Sequence, residues 1–465
     1  MNNLPISSIP ENQDVSTISR FATMNIHPDI QKAISSLGFS IPTHIQESAI
    51  PAGLAGRDLL ACAVTGSGKT AAFAIPLINK LIELKKNDRK SVTRALILAP
   101  TRELAAQIRD HIASLARYTR IRAAAIFGGV GMGNQKDAFL TGVDIIVATP
   151  GRLLDHFSYA YGKIPALQYL VIDEADRMLD MGFLPAIRNV LRQLPTTPRQ
   201  TLFFSATLPE LVIDLAGEML KNPVKIDIDR PAVTADGITQ TVYPVSDDLK
   251  SRLLIHILKS ENVRNAIIFT RTKHRANRLS DMLSRSDVQC ETIHGNRSQA
   301  QRTSALKNFR NGSSSILVAT DIASRGIDVE GISHVINFDV PHLPDDYIHR
   351  VGRTARAKLS GNAISFVSPN EENDLRQIER HLNQKLLRVK VDGFDYKDRP
   401  SEKLEIPLAK RLADHRAKRA EVRNRTSGRP SSKPAPKSFQ VYRSANEPRP
   451  PKASARFSDR KYASA

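Results

Sequence analysis

From Leu59 onward, short apolar, β-branched runs alternate with stretches of helical periodicity. The runs are "LLACAV", "RALILAP", "AAAIFGG", "DIIVATP", "YLVIDEAD" and "TLFFSAT". Runs of four to six apolar residues bounded by turn signals and separated by amphipathic segments predict strands buried on both faces, hence a doubly wound parallel α/β sheet. After the Pro- and Asp-punctuated "NPVKIDIDRPAVTADG" the rhythm restarts with "NAIIFTRT", "CETIHG", "SSILVATD", "HVINFDVP" and "NAISFVSP". The pattern predicts two successive α/β domains, residues 21–228 and 238–394. A linker over 229–237 joins them, and a flexible N-terminal extension covers 1–20.

Residues 395–465 read differently. From Ala409 to Ala465 there are sixteen Lys or Arg against four Asp or Glu, with six prolines, so most of the chain's +20 net charge sits in a basic tail expected to be largely disordered. In it Phe439, Tyr442, Phe457 and Tyr462 lie among cations, a composition suited to electrostatic anchoring with base stacking; the plainer reading is a solubilising extension. Such a balance favours a polyanionic partner. Two distant cysteines, Cys62 and Cys290, argue against a disulfide scaffold or a zinc site. The N-terminus has no signal-peptide pattern and no apolar run approaches a bilayer span, so a cytoplasmic protein with no membrane partner is expected.

"AVTGSGKT", Ala63 to Thr70, links the first strand to a helical segment. Backbone amides at Gly66 and Gly68, with the helix start behind them, suit phosphate oxygens; Lys69 adds a point charge and Thr70 a hydroxyl for Mg²⁺. Thr65 and Ser67 complete the loop. Ala63 stands where the strict pattern has Gly, and a Gly-rich turn before a lysine is the bland alternative. "LVIDEADRM" decides between them: an apolar strand ending in carboxylates is what a magnesium nucleotide needs beside its phosphates. Asp173 is placed on the metal and Glu174 on the attacking water as general base. Helix capping is the competing reading, retained for Asp180.

Asp173, Glu174, Ala175 and Asp176 spell the signature of the DEAD-box RNA helicases, which the chain resembles over about 350 residues. "GFSIPTHIQ" is similar to that family's adenine-reading segment, which implies cofactor contacts from Phe39, Thr43 and Gln46 with Phe21 upstream. "PTREL", "GG", "TPGR" and "SAT" follow in order, then "IIFTRT", "HGNRSQAQR", "ATDIASRGID" and "HRVGRTAR". Val64 stands where the family commonly has Gln, and Ala355 where it has Gly. "MLDMGFLPAIR" and "FTRTKHRANRL" look like the bacterial RhlE-like branch.

The resemblance implies two tandem RecA-like domains, ATP and Mg²⁺ as cofactors, and a monomeric RNA-dependent ATPase that unwinds RNA locally and non-processively or remodels ribonucleoproteins. Arg353 and Arg356, three apart on one predicted helix face, would reach the outer phosphates, and Asp328 the ribose. His349 would form a cross-domain hydrogen bond near Asp176, and Ser205 and Thr207 would couple nucleotide state to closure. Thr101, Arg102, Gly129, Thr149, Arg152, Arg271 and Thr320 fall just after apolar strands, where loops share one edge of each sheet; they are candidates for sequence-independent backbone contacts. RNA rather than DNA follows from the family alone. "GGVGMG" lacks the acidic partner of a dinucleotide fold and reads as a loop over that path. Ribosome-assembly or RNA-decay machinery are the partners this reading suggests. A translocating DNA helicase and a nucleotide-gated RNA clamp remain as rivals.

Overall fold

The computed structural model describes residues 20–63, 66–85, 92–228, 237–260, 263, 265–324, 332–354 and 360–397. Thr65, Asp328, Arg356, most of the expected linker and the tail from residue 398, with its four aromatic residues, lie outside the described residues.

The first lobe is built on β1 (Leu59–Cys62), β2 (Ala95–Leu98), β3 (Ala123–Ile126), β4 (Ile145–Ala148), β5 (Tyr169–Ile172), β6 (Gln200–Ser205) and β7 (Val224–Asp227), all parallel, in the order β3-β4-β2-β5-β6-β1-β7. The second has β8 (Ile238–Pro244), β9 (Ala266–Phe269), β10 (Cys290–Ile293), β11 (Ile316–Ala319), β12 (His334–Asn337), β13 (Gly361–Val367) and β14 (Leu387–Arg388), in the order β10-β11-β9-β12-β13-β8-β14. Two seven-stranded parallel sheets wrapped by helices make tandem RecA-like domains.

Strand periodicity explains the burial. Ala95, Ile97, Ile145 and Val147 face one helical layer, while Leu96, Leu98, Ile146 and Ala148 face the other, and all eight are closed to solvent. A strand covered on both sides needs apolar residues at every position, hence the continuous runs in the sequence. Three strands escaped that reading, one of them the two-residue, exposed β14. β7 lies inside the segment taken as punctuation, and β8, "ITQTVYP", alternates polar and half-buried residues because both stand towards the sheet margins. The second lobe's packing also runs past residue 394: Tyr396 meets Phe394 edge-on, and its hydroxyl accepts from the Val391 N–H at 2.9 Å.

Strand order positions the chemistry. Loops leaving β5, β6 and β1 are neighbours on one half of the first sheet's carboxyl edge, and those leaving β3, β4 and β2 are neighbours on the other. Among the described residues no helix is long and apolar enough to cross a membrane.

Candidate active site and nucleic-acid cleft

As β1 ends, the Ala63 N–H bonds to the Ser205 carbonyl at 2.9 Å and aims the chain out of the sheet edge. Gly66 and Gly68 then take φ of +85° and +91°, conformations closed to most side chains. At Gly68 a Cβ would also overlap the Gln46 amide. That amide donates to the Gly68 carbonyl at 3.1 Å, and the Thr43 hydroxyl donates to the Ser67 carbonyl at 2.7 Å. Thr43 and Gln46, expected on the adenine, thus grip the phosphate loop's backbone. Phe21 is 2% exposed and packs in the core, and the half-buried Phe39 stacks on His111 with ring centres 6.1 Å apart. Neither ring stands free in a base pocket.

Lys69 opens the helix Lys69–Lys85 and is buried, as is Asp173 at the mouth of β5. Lys69 Nζ and Asp173 Oδ1 are both shut off from water without a hydrogen-bond partner among the described residues. A buried ammonium and carboxylate oxygen left unbonded are costly unless something else satisfies them. A metal-bound polyphosphate would do so, with Lys69 on the phosphates and Thr70 and Asp173 as the residues that would hold the metal. Among the described residues no cluster of three His, Cys, Asp or Glu could hold an ion unaided. Burial raises the Asp173 carboxyl to about 6, with Lys69 pulling it down and Glu174 pushing it up.

Glu174 adopts φ +54°, ψ +52°, a left-handed conformation that costs a side-chain-bearing residue on the order of 1 kcal/mol and aims the carboxylate off the strand's path. Burial alone would raise its pKa; Arg177, bonded at 2.8 Å, then Lys69 and Arg353 outweigh burial and hold it below the ordinary carboxylate range. It is therefore ionised, as a general base must be. Asp176 turns the other way. Its Oδ2 accepts from the Ala206 N–H (3.1 Å), the Thr207 N–H (2.9 Å) and the Thr207 hydroxyl (3.1 Å), while its own N–H donates to Ser205 Oγ at 3.2 Å. The carboxylate strand and the "SAT" strand end are thereby one hydrogen-bonded unit.

From the second lobe, the helix Pro344–Val351 and the residues after it bring Arg353, only 5% exposed, close enough to lower the Glu174 carboxyl. His349 behaves differently from expectation: among the described residues it makes no hydrogen bond to Asp176, whose acceptors are already engaged by Ala206 and Thr207. Burial first, then the charge of Arg177, drive its pKa down to about 4 against the pull of Asp176, so it stands there as neutral imidazole. Asp180 ends the helix Ala175–Asp180 and so caps no helix start.

The other half of the edge forms a cleft of about 320 Å³. Thr101, Arg102, Gly128, Thr149 and Arg152 line it from the first lobe, and Gly295, Arg297 and Arg302 from the second. Arg102 lies over Gly129, where any Cβ would overlap its guanidinium. Arg152 Nη2 donates to the Val130 carbonyl at 3.1 Å, while its buried Nη1 has no hydrogen-bond partner among the described residues and so can take an anion. Thr101 is less available than its position suggested, since its hydroxyl accepts from the Leu104 N–H at 3.2 Å and caps a helix. Arg271 and Thr320 do not line this cleft; Arg271 is held by Glu371 at 3.3 Å and by the Val340 carbonyl at 3.3 Å. Across the cleft Glu103 accepts from Arg302 Nε at 2.7 Å and Gln299 Nε2 at 3.1 Å, and Arg102 reaches Gln299 at 3.4 Å.

Residues 43–215 match the family model of the DEAD/DEAH box helicase, and residues 249–358 that of the helicase conserved C-terminal domain. The ATP-dependent rRNA helicase RRP3 of Candida glabrata is 44% identical over 377 residues, 81% of this chain and 76% of that protein. The chain belongs to the DEAD/DEAH box helicase family. The ATP-dependent RNA helicase DbpA of Bacillus subtilis is 40% identical over 416 residues, covering 90% of this helicase and 82% of its relative. Among solved structures, S. cerevisiae Dbp5 bound to RNA and ADP BeF3 superposes with a TM-score of 0.73 at 31% identity, covering 81% of this chain and 96% of that one. The DEAD-box helicase Mss116 bound to ssRNA and UDP-BeF gives 0.74 at 28% identity, with 89% of each chain covered.

Several residues that build the helicase's site were not singled out from the sequence. Arg177, almost wholly buried, orients the Glu174 carboxylate. Arg350, in the same segment as Arg353, is an internal anchor: it is bidentate to Asp321 at 2.6 and 2.7 Å, donates to Asn337 and the Asp339 carbonyl, and lies over the Phe269 ring. Glu103, Gln299 and Arg302 fall within quoted motifs, but only the fold brings them face to face.

Proposed function

We propose that this ATP-dependent RNA helicase hydrolyses ATP between its lobes, with Glu174 taking the proton of the attacking water and Lys69, Arg353 and Arg356 meeting the charge that develops on the transferring phosphoryl group. Thr70 and Asp173 would hold Mg²⁺, which when bound neutralises the phosphates and orients them. Asp328 reaches the ribose. Arg102, Arg152 and the glycine-lined backbone hold the RNA's phosphates without reading bases, so the strand is gripped irrespective of sequence and duplex is opened locally and non-processively. Asp176, bonded to Ser205, Ala206 and Thr207 at the end of β6, transmits nucleotide state to lobe closure. The observation that carries this reading is the pair of buried, unbonded atoms Lys69 Nζ and Asp173 Oδ1 beside an ionised Glu174 that already feels Arg353 from the opposite lobe.

The similarity to helicases named for rRNA supports ribosome assembly as the setting; a cytoplasmic, monomeric protein is the reading of the sequence alone. A place nearest the RhlE-like branch rests on "MLDMGFLPAIR" and "FTRTKHRANRL" alone; the relatives named above carry other names.

The test is ATP turnover with no nucleic acid, single-stranded RNA or single-stranded DNA, alongside strand displacement from a short RNA duplex. RNA-selective stimulation with ATP-dependent displacement is expected. Equal stimulation by DNA would instead mark a translocating DNA helicase, and tight ATP-dependent RNA binding with negligible displacement would mark a clamp.

A further inference from the structure

Beyond the cleft, the first lobe carries an aromatic feature that the ATPase chemistry does not use. The helix Pro150–Phe157, whose first turn supplies Arg152, runs into "SYAYGK". There Tyr159 and Tyr161 stack with ring centres 5.4 Å apart and planes within 13° of parallel. Tyr161 is fixed from behind. Its hydroxyl meets His156 Nδ1 at 3.2 Å, its ring lies edge-on to Phe139 at 6.0 Å, and the Lys136 ammonium sits 5.5 Å over it. His156 is fully buried and its Nε2 meets Gln135 Oε1 at 3.3 Å, while Gln135 Nε2 donates to the Phe127 carbonyl at 3.0 Å. That chain of contacts ties the tyrosines to the glycine loop of the cleft. Gly162 closes the turn against the His156 carbonyl, where a Cβ would overlap it.

Tyr159 is 51% exposed, and Tyr161 is its only ring partner among the described residues. A lone exposed tyrosine needs no explanation. A flat ring backed by a pinned second ring, with the exposed Lys136 and Lys163 flanking it, has the make-up of a base-stacking platform with cations for the adjoining phosphates. Its place fits a strand leaving the cleft: Tyr159 lies two residues past the end of the helix Pro150–Phe157, which carries the chain about 8 Å beyond Arg152, the length of about two stacked nucleotides.

We propose that Tyr159, stacked on Tyr161, is an accessory stacking site for a base of the single-stranded RNA that continues past Arg152, with Lys136 and Lys163 on its phosphates. The proposal rests on the cleft being the RNA path. It extends the footprint on the first lobe and adds grip without a base code, because every base offers a π face.

The test compares full-length wild type, Tyr159→Ala and Tyr159→Phe. It reads the RNA concentration giving half-maximal ATPase stimulation with an oligoadenylate of about 6 nucleotides and one of about 14, spanning the range of single-strand site sizes. In wild type the longer RNA should be effective at about tenfold lower concentration; Tyr159→Ala should bring that ratio close to one, and Tyr159→Phe should keep it. An abasic site walked along the longer RNA should cost wild type several-fold at one position and the alanine variant nothing there. An unchanged length ratio in Tyr159→Ala, or an abasic profile the same in both proteins, overturns the proposal, as would Tyr159→Phe failing with alanine. Arg152→Ala with the short RNA separates the two readings: no rise in its half-stimulating concentration would refute the cleft as the RNA path, whatever Tyr159 does.

Discussion

The contact between Glu103 and Arg302 offers a measure of how strongly the lobes hold each other across the RNA cleft. Both side chains are at least nine-tenths buried, and the carboxylate also receives Gln299. A hydrogen bond to a charged group is worth ~1.5–3 kcal/mol. When the lobes part both groups regain water, which removes a portion of that. A net coupling of about 1–2 kcal/mol, or roughly five- to thirtyfold in the closing equilibrium, is the result. Because Arg302 also approaches the His294 and Ala323 carbonyls, a single variant mixes effects. A double-mutant cycle with Glu103→Gln and Arg302→Met, read as the RNA concentration for half-maximal ATP turnover at saturating ATP, isolates the pair. Each single variant should raise that concentration at least fivefold, and the double variant should be no worse than the poorer single one. Effects that add to within about 0.4 kcal/mol would refute the pair as a latch.

Three other outcomes follow from the structure. Gly68→Ala forces a side chain into φ +91° and against the Gln46 amide, so affinity for a fluorescent ATP analogue should fall at least tenfold; unchanged binding would contradict the loop geometry. Glu371 sits on the fully buried Lys250, and although burial raises its pKa, Lys250 and Ser368 outweigh this and hold it below the ordinary range. A carboxylate lower in the folded than in the unfolded state stabilises above the unfolded value of about 4.3, and that contribution is lost as pH falls through the folded value. Glu371→Gln should therefore cost about 3 kcal/mol at neutral pH and flatten the fall in melting temperature below about pH 4.3; a melting profile parallel to wild type would contradict the assignment. Deleting residues 409–465, which carry sixteen Lys or Arg, should raise the half-stimulating RNA concentration several-fold at low salt, the difference fading as salt rises. A large loss of maximal turnover would make the tail part of the catalytic machinery.

The architecture was legible wherever burial left one residue type no alternative. β2, β4, β9 and β11 are covered on both faces, so each appears as an unbroken apolar run. β7 and β8 were not, because half-covered strands accept Lys, Asp, Thr and Gln and then resemble a linker. The phosphate loop and Asp173–Glu174 were legible because their chemistry demands particular residues at fixed offsets from a strand end. Thr43, Gln46 and Phe21 show the limit: their positions matched a motif, yet whether a side chain meets a base, a loop or the core is decided by packing between distant segments. Arg350 and Arg353 make the same point, since nothing local tells the internal anchor from the residue beside the active site. Nor could the Glu103–Arg302 pair be seen before the lobes were brought together, with nearly two hundred residues between its members.

The central claim is that each lobe supplies part of what cleaves ATP. It is tested most directly by single-turnover ATP hydrolysis at saturating RNA in Arg353→Ala and Glu174→Gln, with ATP-analogue affinity measured in the same proteins. Hydrolysis should slow about a thousandfold for Arg353→Ala and at least a hundredfold for Glu174→Gln, with analogue affinity within several-fold of wild type. A rate for Arg353→Ala within about threefold of wild type would contradict the account, for the second lobe would then contribute nothing to the chemistry.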